Sequence, residues 1–210
     1  MSDSGQIAVD IVLLPPVPIM DAIIAVNRRL VTRTGNREVM LDKQDTIPHI
    51  TLAMGTMEVS ELAALGRRLD EIARMHLPLA TTITGLAVVP TSTGTTVSGF
   101  NVRKTNELQA LHESVMQLLL TFDAEKAAAP MIAGWEHEQI DPFTTGYISA
   151  FSEEAAYGNY SPHITLGYGD ARKDLAEFSV PLPVLCTSAA ICHLGNFCTC
   201  KEILSTHPEG

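Results

Sequence analysis

Apolar positions along the chain fall into two periods, and the alternation between them predicts the order of elements. "IAVDIVLLP" (7 to 15) is an apolar, β-branched run closed by prolines and reads as a strand. "MDAIIAVNRRLV" (20 to 31) has the density of a helix, with Asp21 as its cap. In "SELAALGRRLDEIARMH" (60 to 76), Leu62, Leu65, Leu69, Ile72 and His76 recur at three and four behind Ser60, which predicts an amphipathic helix with Ser60 as N-cap. "TTITGLAVV" and "TTVSGFNV" flank the turn-rich "PTSTG" and predict a hairpin. A helix follows over 106 to 122, with Leu108, Leu111, Val115, Leu118 and Phe122 on one stripe. Residues 123 to 146 carry Ala, Pro and acidic residues with weak periodicity, and read as a long loop or insertion. The chain ends with a short helix around "DARKDLAEF" and a hairpin of "SAAICHL" and "FCTCKEIL" about Gly195-Asn196.

Two segments of this pattern are nearly the same. Residues 48 to 55 read "PHITLAMG" and residues 162 to 169 read "PHITLGYG". Each is predicted to be a strand that begins at a proline, where a missing donor is tolerated. The elements around the two copies come in nearly the same order, which predicts a single domain over 1–210 made of two similar α+β lobes related by a pseudo-twofold axis.

Side chains alternate faces along a strand, so His49 and Thr51 point one way while Ile50 and Leu52 point into a core, and His163 and Thr165 repeat this against Ile164 and Leu166. Two such faces across a cleft bring together two imidazoles and two hydroxyls. That set suits phosphodiester hydrolysis or transesterification. A neutral histidine takes a proton from the attacking oxygen, a protonated one gives a proton to the leaving oxygen, and the threonines donate to nonbridging phosphate oxygens. Protons and hydroxyl donors suffice for this scheme, so neither a metal nor another cofactor is expected.

The paired H-x-T motifs resemble those of the two-histidine (2H) phosphoesterase superfamily, which includes RNA-ligase-like proteins, 2',3'-cyclic phosphodiesterases and 2',5'-oligoadenylate phosphodiesterases. "NYSPHITLGY" is similar to the family's second motif, and the hairpin followed by "ELQALHESV" to its central segment. The resemblance implies His49 and His163 as the acid/base pair, Thr51 and Thr165 as phosphate ligands, and a bilobal α+β fold around a central cleft. It leaves open which histidine is acid and which is base. The function implied is a metal-independent phosphodiesterase acting on a cyclic phosphate or a short 2',5'-linked or cyclic oligonucleotide. The alternatives are a phage-type enzyme that degrades cyclic-nucleotide immune signals and a nucleotide-binding module without turnover.

Aromatic residues cluster near the second motif. Trp135, Tyr160 and Tyr168 are candidates for stacking a base, and Phe143 and Tyr147 for core packing. Strict alternation places Gly167, not Tyr168, on the His163 face, unless the glycines bend the strand. His76 and His112 are expected at helix surfaces or boundaries, and His207 in a tail.

Composition narrows the partners. A net charge of −10, from 24 acidic and 14 basic residues, argues against a long nucleic-acid footprint and for a small nucleotide or short oligonucleotide. No apolar run is long enough to span a membrane and "MSDSGQ" lacks a secretory pattern, so no membrane partner and a cytoplasmic location are expected. The four cysteines, Cys186, Cys192, Cys198 and Cys200, crowd the C-terminal end and are read as reduced thiols. Counting through a tight turn at Gly195-Asn196 puts His193, Cys198 and Cys200 on one face and Cys192 on the other, which disfavours a zinc site.

Overall fold

The computed structural model describes residues 5–91, 94–122, 125–134, 138–176 and 178–208. The strands are β1 (Gln6–Leu14), β2 (Ile50–Glu58), β3 (Leu79–Pro90), β4 (Thr96–Val102), β5 (His163–Tyr168), β6 (Leu182–Cys186), β7 (Ser188–Leu194) and β8 (Cys200–His207). The α-helices are α1 (Val17–Thr34), α2 (Leu62–His76), α3 (Asn106–Leu119) and α4 (Pro142–Glu154). Two antiparallel four-stranded sheets result, one in the order β2-β1-β7-β8 and the other β5-β4-β3-β6. This is the bilobal α+β architecture expected, with each motif strand at the edge of its own sheet.

The lobes are not successive halves of the chain. The first sheet takes its motif strand from the N-terminal part and its outer hairpin, β7-β8, from the C-terminal part, while the middle of the chain builds the second. The helices are exchanged as well. α1 leaves the first sheet and packs on β5 of the second, and α3 leaves the second sheet and packs on β2 of the first. α2 lies against α3 and β8. The amphipathic stripes drive this packing: Ile23, Val26 and Leu30 of α1, Leu65 and Leu69 of α2, and Leu108, Leu111 and Val115 of α3 are all fully buried in one core that both sheets share.

Several elements differ from the sequence pattern. α1 starts earlier, with Pro16 at its N-cap and Pro18 in its first turn. Asp21 is therefore inside the helix, where it pairs with Lys43 at 2.9 Å. Ser60 lies in a 3₁₀ turn, Val59–Glu61, ahead of α2. Within 123–146, Ala129–Met131 form a 3₁₀ turn and α4 begins at Pro142. Asp141 caps α4 by accepting from the Phe143 N–H, a start signal that the surrounding Ala and Pro concealed. The helix expected at "DARKDLAEF" is one 3₁₀ turn, Ala171–Lys173. There Arg33 reaches from the exchanged helix α1 to the Asp174 carboxylate at 2.5 Å and ties the segment to that helix instead.

The C-terminal hairpin corrects the cysteine reading: Cys192 and Cys200 form a disulfide, and Cys186 and Cys198 are free thiols. The connection is the 3₁₀ turn Asn196–Cys198 rather than a two-residue turn, and the β7/β8 register slips twice, so parity counted through a tight turn assigns the wrong faces. His207 is not in a tail. It closes β8, is buried, and lies 2.9 Å from the Ser205 hydroxyl.

Candidate active site

Both motif strands carry the same irregularity at the same residue. Across the β1/β2 ladder Val12 pairs with Thr51 and Ile11 with Ala53, so Leu52 has no partner. Across β4/β5, Gly99 pairs with Thr165 and Ser98 with Gly167, so Leu166 has none. Each leucine is a β-bulge, which bends its strand and changes the parity of all that follows. Before the bulge, Ile50, Leu52, Ile164 and Leu166 are buried, as an apolar anchoring face requires.

A buried polar side chain from the exchanged helix holds each bulge. His112 of α3 donates from Nδ1 to the Leu52 carbonyl at 2.6 Å, and its Nε2 accepts the Tyr157 N–H at 2.8 Å. Asn27 of α1 donates to the Leu166 carbonyl at 2.6 Å and to the Val39 carbonyl at 2.9 Å, and accepts the Leu41 N–H at 2.9 Å. Each clamp therefore joins the bulge of one motif to the segment leading into the other. His112, expected at a helix boundary, is fully buried in this role, and burial pulls its pKa below the ordinary imidazole value.

The two imidazoles are oriented alike. His49 Nδ1 lies 2.7 Å from the Ile47 carbonyl and His163 Nδ1 lies 2.8 Å from the Ser161 carbonyl, in each case two residues upstream. A carbonyl only accepts, so Nδ1 carries the hydrogen in both rings and Nε2 is the working nitrogen. His163 is exposed, whereas the His49 side chain is 14% exposed.

Beside His49 and Thr51 stands a residue not singled out in the sequence. Asp10 of β1 is completely buried, and its Oδ2 accepts from the Thr51 hydroxyl at 3.0 Å and lies 3.4 Å from His49 Nε2. Oδ1 has no hydrogen-bond partner among the described residues. Burial raises the Asp10 pKa, and this is offset in part by His49, by Thr51 and by the charge of His163, so both histidines lie within its electrostatic reach. For His49, burial alone would lower the pKa, but the hydrogen bond and charge of Asp10 outweigh it and the net shift is upward. The signal was legible: Asp10 is the one charged residue in an otherwise apolar strand, and a buried carboxylate demands partners.

A family model described as the 2'-5' RNA ligase superfamily matches residues 41–181, a span that contains both motifs. The chain belongs to that superfamily. Its members are two-histidine phosphoesterases, which gives this chain a phosphodiesterase-type function, hydrolysis or ligation of phosphodiester bonds. No curated protein matches the chain. Among solved structures it is similar to the apo form of LigT from E. coli, with 12% identity, a TM-score of 0.49 and 97% of each chain covered. It is also similar to a structure described as a phosphoesterase, with 14% identity, a TM-score of 0.46, and 95% of this chain and 96% of that one covered.

The aromatic candidates separate. Tyr160 is not available to a base. It is buried, its ring stacks on His112 with centroids 3.8 Å apart, and its hydroxyl donates to the Thr51 carbonyl at 2.9 Å, so it joins the run-in of the second motif to the first. Tyr168 moves the other way. It pairs with Val97, as Thr165 pairs with Gly99 and His163 with Asn101, and the bulge at Leu166 thus returns Tyr168 to the histidine face that strict alternation denied it. Tyr168 is half-buried and meets Phe197 edge-on at 5.7 Å. Trp135 lies outside the described residues. Phe143 is exposed and stacks on Tyr147 of the same helix. Among the described residues no helix is long and apolar enough to cross a membrane.

Proposed function

We propose that this member of the superfamily is a metal-independent phosphodiesterase that hydrolyses a cyclic phosphate or a short 2',5'-linked or cyclic oligonucleotide. The observation that carries the reading is the duplicate fixing of the imidazoles: each Nδ1 is held by the carbonyl two residues upstream, so both rings offer Nε2 on the face that bears a threonine. Water attacks phosphorus as one Nε2 takes its proton, the bond to the leaving oxygen breaks, and the other Nε2–H protonates that oxygen. With substrate bound, the Thr51 hydroxyl turns from Asp10 Oδ2 to one nonbridging oxygen and Thr165 donates to the other, where charge accumulates. Tyr168, on the same face, stacks the base nearest the second motif. The net charge of −10 favours a small substrate over long RNA.

The test is a panel of 2',3'-cyclic and 3',5'-cyclic nucleotides, 2',5'-oligoadenylate, cyclic di- and trinucleotides and long single-stranded RNA, assayed with and without EDTA. Turnover of a small member, EDTA-resistant and lowered by about 10²- to 10⁴-fold in His49→Ala and in His163→Ala, is the expected result. A folded variant that keeps wild-type turnover, or a preference for the long RNA, overturns the reading.

A further inference from the structure

The two motifs are equivalent in backbone but not in what stands beside them, and this breaks the symmetry of the chemistry. We infer that Asp10 is a positioning residue that makes His49 the general acid, which leaves His163 as the general base. This assignment rests on the phosphodiesterase reading above and goes beyond it. Asp10 also lies outside the residues matched by the family model, so the inference concerns this chain's own sequence.

The argument is one of proton inventory. His49 Nδ1 already donates to the Ile47 carbonyl. An N–H on Nε2 facing Asp10 Oδ2 therefore makes the ring an imidazolium, and only an ionised Oδ2 takes both that contact and the Thr51 hydroxyl with neither donor displaced. No other group among the described residues is seen to donate to the carboxylate, so its direct polar contacts are with this pair. The 3.4 Å separation is an ion pair and not a tight hydrogen bond, and the partly exposed ring is left able to pass its Nε2 proton to a leaving oxygen. At the second motif the ladder position equivalent to Asp10 is Val97, since Asp10 pairs with Met54 and Val97 with Tyr168, and these occupy the same place in the repeat. His163 has no carboxylate there to hold it charged, and it is exposed to the solvent that supplies the attacking water.

Other titratable groups around Asp10 do not compete. Its charge acts with that of His163 too, but more weakly than with His49, which alone of the two rings it touches. Its field also reaches Tyr147 of α4, Tyr160 before β5 and Cys198 of the β7–β8 turn. Burial pushes Tyr147 and Cys198 up to about 12 and Tyr160 higher still, so all three are neutral near pH 7. In one turnover, water loses a proton to His163 Nε2, the new P–O bond forms as the old one breaks, and the leaving oxygen takes the proton from His49 Nε2. Exchange with solvent restores both.

The decisive experiment compares two leaving groups in the full chain. On 2',3'-cyclic AMP the leaving alkoxide needs a proton, whereas the p-nitrophenyl ester of thymidine 5'-phosphate expels a stable phenolate. His49→Ala is expected to lose about 10²-fold or more on the cyclic nucleotide and less than about tenfold on the ester, while His163→Ala loses about 10²-fold on both. Rescue of His163→Ala and not of His49→Ala overturns the assignment. Absence of wild-type turnover on both compounds and on the whole panel above counts against the phosphodiesterase reading instead. A ring-nitrogen NMR titration decides the point without turnover. His49 should titrate above the ordinary value of about 6.5 in the wild type and below it in Asp10→Asn, where burial, the largest influence, is opposed only by the Ile47 carbonyl, and the basic limb of the pH–rate profile should move to lower pH with it. A His49 titration that is unmoved by Asp10→Asn, or one below 6.5 in the wild type, sinks the proposal.

Discussion

At the first motif the residue across the ladder from Met54 is Asp10; at the second, the residue across from Tyr168 is Val97. Around that difference the halves match closely, with a bulge at the leucine, a histidine Nδ1 on the carbonyl two residues upstream, and a buried polar side chain from the opposite helix on the bulged carbonyl. The backbone symmetry delivers two Nε2 atoms in like poses. General acid–base catalysis, however, needs one protonated and one free, and a symmetric environment gives both rings the same preference. The lobes thus share what sets geometry and differ in what sets charge.

The first way to break the comparison is to remove the shared part. His112→Ala leaves the Leu52 carbonyl and the Tyr157 N–H without partners and strips the ring stacked on Tyr160, and we expect a loss of about 3–5 kcal/mol. Asn27→Ala removes three hydrogen bonds and should cost about 2–4 kcal/mol. Since each clamp joins one motif to the other's run-in, both variants should lower turnover at temperatures where they remain folded. Urea unfolding with matched activity assays checks this. A clamp whose removal costs under about 0.5 kcal/mol is not holding its bulge.

How much of this was legible follows from what a one-dimensional pattern encodes. Alternation around His49-x-Thr51 and His163-x-Thr165 was readable because strand parity before the bulge is regular. Beyond the leucines it failed, and Tyr168 was placed on the wrong face, because a bulge is a tertiary response to a clamp that sits 139 residues away in the chain, from Asn27 to Leu166. Gly167 was a partial clue. Its φ of 128° and the 3.3 Å that a Cβ there would leave to the Val39 carbonyl explain why the repeat has glycine here and Ala53 in the other copy. The exchange of α1 and α3 between sheets, and the return of β7-β8 to the first sheet, left no local signal, since an amphipathic stripe does not say which sheet it covers. Tyr160 was misread as a base platform because an aromatic beside a motif looks the same whether its ring is free or stacked on His112.

The threonines sharpen the charge side of the comparison. The Thr165 hydroxyl makes no hydrogen bond among the described residues, whereas Thr51 is engaged by Asp10. Thr51→Val and Thr165→Val should each lower kcat by about a hundredfold as a donor to the nonbridging oxygens is lost. Only Thr51→Val should also lower the His49 titration, because the Thr51 hydroxyl helps keep Asp10 ionised and an ionised Asp10 is what holds the His49 proton. Equal effects of the two variants on His49 would place Thr51 outside the Asp10 pair.

The smallest effect expected is in the pH dependence of stability, where His112 and His49 act with opposite sign. Burial lowers the folded pKa of His112, so the stability it contributes is whole above the unfolded value of about 6.5 and is lost as pH falls through the folded value. Protonation puts a second N–H where Nε2 must accept from Tyr157, and the clamp opens. His49 is shifted upward, so its contribution is whole below about 6.5 and is lost as pH rises through its folded value. Glutamine at position 112 supplies a donor for Leu52 and an acceptor for Tyr157 without titrating. Comparing urea midpoints of the wild type and His112→Gln from pH 7.5 down to pH 5 should show the wild type losing stability faster, by up to about 1.4 kcal/mol per pH unit for one proton. Parallel curves would mean that His112 keeps its clamp when charged, and the acid-side loss would then belong to other groups.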